Sequence, residues 1–218
     1  MARIVFDLDG TLIDSAPDIH GIANRLLEAE GHAAITLAQT RDFIGNGASV
    51  FVERLRHARA IADSEHLRLL GSFTDSYMTA VTLTNPYSGV CDALGALRNQ
   101  GHSLGICTNK PIAPTRAVLD HLALTPFFDA IYGGDSLPTH KPDPAPLQAT
   151  FADLGEGAQI YVGDSEVDAQ TAQRAGVPFL LYTEGYRKTP VANLPHDIAF
   201  SDFADLPQLI GQTLAVLT

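Results

Sequence analysis

Asp7-Leu8-Asp9-Gly10-Thr11 follows directly on a short apolar run, Ile4-Val5-Phe6. If that run is a strand, residues two apart leave it on the same side, so both carboxylates face one way. Such a pair can divide labour. One carboxylate attacks phosphorus and helps to hold a metal, while its neighbour protonates the departing oxygen and later takes a proton from water. A solvated strand-end turn is the competing use of the same residues, because Asp and Gly favour turns. A second acidic pair, Asp164 and Asp168, stands in Gly163-Asp164-Ser165-Glu166-Val167-Asp168, after another apolar run. The spacing i and i+4 predicts one face of a helix that starts there, where capping is the competing role. Four carboxylates gathered at strand ends repel one another and call for a hard cation. An oxygen-only donor set with no His or Cys nearby points to Mg²⁺ rather than zinc. The candidate metal residues are therefore Asp7, Asp9, Asp164 and Asp168.

Thr108-Asn109-Lys110-Pro111 closes a further apolar run. Its hydroxyl and free amides could cradle a phosphoryl oxygen, although Thr and Asn are also ordinary helix caps. An acidic site that takes an anion needs a fixed positive charge, and Lys141 in His140-Lys141-Pro142-Asp143 is the candidate; an exposed, solvated lysine is the alternative. Gly45-Asn46-Gly47 lies between helical patterns, and its two glycines let backbone amides come close to a ligand if it is more than a connector. The eight histidines form no HExxH, no Ser-His-Asp pattern can be argued, and Gly-x-x-x-x-Gly-Lys is absent, which removes support for zinc proteolysis and P-loop hydrolysis. His20 reads as structural or solvated, and Arg54, Arg56 and Arg59 as a wet helix face.

The elements that must position these residues alternate. Strands are expected at Ile4–Phe6, Ser103–Cys107, Ala130–Tyr132, Gln159–Val162 and Pro178–Leu181, separated by helical patterns. That alternation predicts an α/β fold with a Rossmann-like parallel sheet, whose ligands bind at the C-terminal strand ends. Almost a hundred residues separate the first two strands, far more than one crossover helix needs. Ser15-Ala16-Pro17-Asp18 reads as a capping box, and Ile19, Ile22, Ala23 and Leu26 recur at helical spacing behind it. Further helical patterns cover Ser49–Arg59 and Ser64–Val81, and Asn85-Pro86 reads as the return hinge. The expected organisation is a catalytic core at 1–13 and 87–218, with a small helical cap domain at 14–86.

Composition narrows the partners. With 218 residues, 45% of them hydrophobic and 18% charged, the chain can bury a sizeable core. A formal net charge of −11 repels nucleic acid and anionic membranes on average. Cys91 and Cys107 have no metal-ligand spacing and are expected to be buried free thiols. Asp7 and Asp9 interrupt any apolar leader and no run is long enough to span a membrane, so a cytoplasmic location is expected. Monomer and homodimer both stay open.

Taken together, Asp-Leu-Asp-Gly-Thr at 7–11, Thr108 after a core strand, Lys141 before a proline, and Gly-Asp-x-x-x-Asp at 163–168 resemble the haloacid dehalogenase superfamily of aspartyl phosphotransferases, in order and spacing. Within it, Asp14-Ser15-Ala16-Pro17-Asp18, Ile44-Gly45-Asn46-Gly47 and the Lys141–Pro146 run resemble the phosphoglycolate phosphatase family, in which a helical cap closes over a Rossmann-like core. The resemblance implies a small anionic phosphate ester as substrate, Asp7 as nucleophile, Asp9 as acid and base, and Thr108 and Lys141 as phosphoryl ligands; Asn109, Gly45, Asn46 and Gly47 are candidate substrate contacts from their own positions. It implies Mg²⁺ held by Asp7, the Asp9 carbonyl and Asp164, supported by Asp168. Haloalkanoate dehalogenases lack the second Asp, so Asp9 argues against them. Phosphomutases with this cap type usually carry a hinge His where this chain has Ile19. A mutase and a broad-specificity sugar-phosphate phosphatase are the alternatives within the superfamily. A non-catalytic regulatory protein would lack the acid/base or metal Asp, and both Asp9 and Asp164 are present.

Overall fold

The structure is a computed structural model that describes residues 1–217. Its centre is a six-stranded, all-parallel sheet in the order β5-β4-β1-β6-β7-β8, formed by β1 (Ala2–Phe6), β4 (Ser103–Cys107), β5 (Ala130–Tyr132), β6 (Ala158–Gly163), β7 (Phe179–Tyr182) and β8 (Ile198–Phe200). Both faces are covered, which is why the central strands read as unbroken apolar runs. Ile4, Phe6, Leu104, Ile106, Ile160 and Val162 point to one face, which α5 (Val90–Asn99) and α9 (Leu206–Leu217) cover. Val5, Tyr161, Phe179 and Leu181 point to the other, against α7 (Ala145–Asp153) and α8 (Glu166–Ala175). A further helix, α6 (Ile112–His121), follows β4. The expected strands match to within two residues at their ends, and β8 is an addition to them.

After β1 the chain turns through Gly10 and runs into β2 (Ile13–Asp14), which pairs antiparallel with β3 (Asn85–Pro86), Ile13 facing Pro86 and Asp14 facing Asn85. Between these two short strands lie α1 (Ala16–Ala29), α2 (Leu37–Phe43), α3 (Gly47–His57) and α4 (His66–Tyr77). They bury an apolar cluster of their own, with Ile19, Ile22, Leu27, Phe51, Leu55 and Phe73 at its heart. Phe43, Phe51, Phe73 and Tyr77 form a chain of ring contacts 5.0–6.0 Å apart, a spacing that suits offset and edge-on aromatic packing.

Several local expectations change. Ser15 takes a helical backbone conformation and its hydroxyl, among the described residues, has no partner. Asp18 caps nothing. Its Oδ2 instead accepts from Leu83 N, Thr84 N and Thr84 Oγ1 at 2.7–2.9 Å, fastening α1 to the returning chain. The capping box of this region is Thr36 with Gln39, at the start of α2. The Ser64–Val81 pattern stops as α-helix at Tyr77, before a stretch rich in β-branched Thr and Val. The arginines are not a wet face: Arg56 is buried against Asp63 (2.8 Å) and the Ile61 carbonyl, Arg54 donates to the Phe43 carbonyl and Asn46 Oδ1, and Arg59 to the carbonyls of Ala33 and Ala34. Cys107 is buried, but Cys91 is exposed on α5. Among the described residues no helix is long and apolar enough to cross a membrane.

Candidate active site

Beside β1 the strand order reverses. From there β4 and β5 run out to one side and β6, β7 and β8 to the other. Open α/β sheets bind ligands at the C-terminal ends flanking such a point. Asp7 leaves β1 there, its amide bonded to the Val162 carbonyl of β6 at 2.9 Å. Gly10 sits at φ +91°, and a Cβ on it would lie 2.7 Å from Asp164 Oδ2. Only glycine therefore lets the turn after Asp9 pass so close to the acidic loop.

Lys141 is buried and its ammonium is saturated. Nζ donates to Asp7 Oδ1 (2.7 Å), Asp168 Oδ1 (2.7 Å) and the Tyr161 hydroxyl (2.9 Å). Burial alone would discharge this lysine, but Asp168 and Asp7 hold its pKa well above the usual lysine range. Burial pushes Asp7 up to about 7, against the pull of Lys141 and with the push of Asp168 and Asp9. Asp164 is likewise raised far above the usual carboxylate range by burial and then by Asp168 and Asp7. Asp168 moves the other way: burial would raise it, but Lys141, Ser165 and Tyr161 outweigh burial.

Carboxylate oxygens of Asp7, Asp164 and Asp168 lie within 4.8 Å of one another, all buried. The three do not sit as the spacing suggested. The helix α8 begins at Glu166, so Asp164 precedes it and shares no helix face with Asp168. Asp164 accepts from Thr11 Oγ1 (2.7 Å) and the Tyr186 amide (2.6 Å), one bond to each oxygen, which leaves lone pairs free. Asp168 is occupied: Lys141 and Tyr161 hold Oδ1, and Ser165 N, Ser165 Oγ and Asp164 N hold Oδ2. Buried, all-oxygen and short of protons or cations, the Asp7–Asp164 pair fits a hard divalent ion. The Asp9 carboxylate stands apart from this cluster, with Oδ1 3.3 Å from Lys110 Nζ.

Thr108 and Asn109 line a cleft of about 430 Å³, mouth included, together with Asp7, Asp9 and Gly47. Asn109 Nδ2 donates to the Gly45 carbonyl (3.1 Å) and to the Lys141 carbonyl (3.0 Å), tying residues 45–47 to the core. The Asn46 Oδ1 accepts from Arg54 at 2.9 Å, and Asn46 lines a second pocket with Asp7, Asp9 and Asp164.

Four residues that carry no role in the sequence analysis belong here, Lys110, Tyr77, Tyr186 and Arg41. Lys110, buried, donates to Asp9 and to the Tyr77 hydroxyl (2.7 Å) and lies 4.0 Å from the Tyr77 ring centre. Tyr186 joins three parts of the site, with its amide on Asp164 and its hydroxyl donating to Asp14 Oδ1 (2.6 Å) and accepting from the Ala16 amide (3.0 Å). Arg41 on α2 pairs with the same Asp14, at 3.0 Å. Lys110 had a signal in its place inside Thr108-Asn109-Lys110, and Tyr186 in its place after β7, at the ligand-binding end of the sheet. Tyr77 had none beyond helical periodicity.

This fold and this acidic strand-end site define a class, and residues 4–182 match its family model: the chain belongs to the haloacid dehalogenase-like hydrolase family. It is 50% identical over 218 residues to a phosphoglycolate phosphatase of Cereibacter sphaeroides, covering 99% of this chain and 100% of the relative. It is 46% identical to a phosphoglycolate phosphatase of Rhodobacter capsulatus, over 95% of each. A solved structure from Haemophilus somnus, described as a predicted phosphoglycolate phosphatase, superposes with a TM-score of 0.90 at 31% identity, covering 95% of this chain and 97% of that one.

Proposed function

We propose that this chain is a Mg²⁺-dependent phosphoric monoester hydrolase that cleaves phosphoglycolate through an aspartyl-phosphate on Asp7. The observation that carries it is the arrangement at the end of β1: Asp7 fixed through Oδ1 by Lys141, with Asp9 two residues on in the lining of the same cleft. The relatives named above support the choice of ester.

Lys141 holds Oδ1, so Oδ2 of Asp7 attacks phosphorus. The P–O bond to the leaving group breaks as the new one forms, and Asp9 gives its proton to the departing alkoxide, releasing glycolate. Asp9, now a carboxylate, takes a proton from water as that water attacks the phosphoryl group on Asp7. Inorganic phosphate leaves and both carboxyl groups are regenerated. Thr108 and the amides after it bind the phosphoryl oxygens. Asp7, the Asp9 carbonyl and Asp164 would hold Mg²⁺, and Asp168 acts on the site through Lys141. The ion supplies charge neutralisation for the phosphoryl oxygens and for the carboxylates around them.

Residues 14–86 act as a cap that excludes water during attack and opens for release, with β2 and β3 as its stem. Ile19, at the position of the mutase histidine, lines the cleft with an apolar side chain and has no proton to transfer. The net charge of −11 suits a small cytoplasmic metabolite over nucleic acid or a membrane surface. The test is turnover of a panel of small phosphate esters. Phosphoglycolate should give the highest kcat/KM, activity should vanish in EDTA, and Mg²⁺ should restore it. Full activity after EDTA dialysis removes the metal role, and a clear preference for another ester removes the substrate assignment.

A further inference from the structure

Two lysines are buried in this site, and only one of them has all its hydrogens placed. Lys141 gives three bonds, all between 2.7 and 2.9 Å. Lys110 gives a 2.7 Å bond to the Tyr77 hydroxyl and a long one, 3.3 Å, to Asp9 Oδ1. It has no third hydrogen-bond acceptor among the described residues, its remaining contact being the Tyr77 ring, 4.0 Å from the centre. Lys110 is 6% exposed, and a buried ammonium left short of acceptors costs free energy that a ligand can recover. It also bridges the two halves of the cleft, with its backbone after β4 and its tip against Tyr77 of α4.

The position of that tip has chemical meaning. Phosphorus must sit beside Asp7, Thr108 and Lys141, whereas Lys110 touches Asp9, the group placed to protonate the leaving oxygen. Lys110 therefore lies on the leaving-group side. In phosphoglycolate the carboxyl carbon is two bonds from the bridging oxygen, so an ammonium beside Asp9 is within reach of the carboxylate. Gly47 and Ala48, in the first turn of the 11-residue helix α3, line the same cleft, so the positive end of that helix lies beside it.

We infer that Lys110 is the residue that selects the substrate's second anionic group, binding the leaving-group carboxylate between itself and the start of α3. This rests on the phosphoglycolate assignment and adds the residue responsible for it. The plain alternative is that Lys110 serves only to neutralise Asp9.

The experiment compares kcat/KM in Mg²⁺ for phosphoglycolate and for ethyl phosphate, an ester of the same carbon count without the carboxylate. Lys110→Met should lower kcat/KM for phosphoglycolate by about 100-fold, mostly through KM, and for ethyl phosphate by less than about tenfold. Lys110→Arg, which keeps the charge, should recover part of the selectivity. Equal losses on both esters would overturn the inference while leaving the phosphoglycolate assignment intact. A wild-type enzyme with no preference for phosphoglycolate would sink that assignment, and this inference with it. Should Lys110→Met fail to fold, Tyr77→Phe decides, because it removes only the hydroxyl that places the ammonium. It should cut the same selectivity by about three- to tenfold, and an unchanged ratio overturns the inference.

Discussion

The two ends of the parallel sheet handle their polar groups in opposite ways. At the N-terminal end of β1, Arg3 donates to the carbonyls of Phe151, Gly155 and Gly157 at 2.7–3.0 Å. Beside it the Ala2 amide donates to Nδ1 of His102 at 3.1 Å. Charge meets neutral acceptors there, and the bonds fasten the start of the strand. At the C-terminal end of the same strand, Asp7, Asp9, Asp164 and Asp168 share only two buried ammonium groups, and burial with mutual repulsion holds Asp7 and Asp164 in an acid-weak state. With all four ionised the excess would be two negative charges, which a divalent ion would offset. One end satisfies its polar groups by itself, while the other keeps an unbalanced cluster of carboxylates of the kind that marks a functional site.

The sharpest way to break this comparison is Asp7→Asn. An amide cannot attack phosphorus, so turnover should fall by about 10⁴-fold or more. Stability should move the other way: removing one of several crowded carboxylates in the absence of metal should leave the melting temperature in EDTA unchanged or higher. A folded variant with near wild-type turnover would end the nucleophile assignment. A clearly lower melting temperature would show that the Asp7–Lys141 pair stabilises the fold on balance, and that crowding of carboxylates at the C-terminal end costs little.

The contrast also explains which parts were legible in the sequence. Central strands covered on both faces leave continuous apolar runs, so β1, β4 and β6 were readable, while β8 was missed because three residues at a sheet edge, only one of them buried, leave too little pattern. The helix α2 was missed because only Thr40 of its seven residues is buried, so it carries no apolar stripe. Asp7, Asp9, Asp164 and Asp168 were visible as candidates because short motifs at strand ends keep their spacing in the chain. The partners that give them their state were not visible. Lys141 meets Asp7 across 134 positions, and Lys110 meets Tyr77 across 33. The arginines of α3 looked solvated because alternation with apolar residues cannot tell a wet face from one that bonds neighbouring carbonyls.

A smaller effect is expected at the other end of the sheet. Arg3→Ala removes four hydrogen bonds that hold β1 to the α7–β6 connection, and should lower the melting temperature by about 5–10 °C. Because Arg3 lies at the opposite end of the sheet from the cleft, kcat/KM with Mg²⁺ should stay within about twofold. A fall in kcat/KM measured well below the melting transition would mean that the two ends are coupled, and the division drawn between them would fail.

The smallest expected effect concerns His102, and its sign with pH is set by the bond it accepts. Nδ1 takes the Ala2 amide, so the ring must be neutral with its hydrogen on Nε2; protonation would set one N–H against another. Burial is the main cause holding its pKa below 6.5. A histidine lowered on folding contributes stability that is fully present above the unfolded value and is lost as pH falls through the folded one. His102→Leu keeps the volume apolar but leaves the Ala2 amide without its acceptor, and it does not titrate. The melting temperature of the wild type should therefore exceed that of the variant by about 2–4 °C at pH 8, with the gap closing as pH falls below about 6. Activity at pH 8 should not change, since His102 and Thr108 are at opposite ends of β4, roughly 20 Å apart along the strand. A gap that stays constant from pH 8 to pH 5 would show that the ring is not a titrating acceptor. A gap that widens toward low pH would mean the imidazolium is the stabilised form, and the N-terminal end would then hold a charged group in need of a partner, like the end that carries the site.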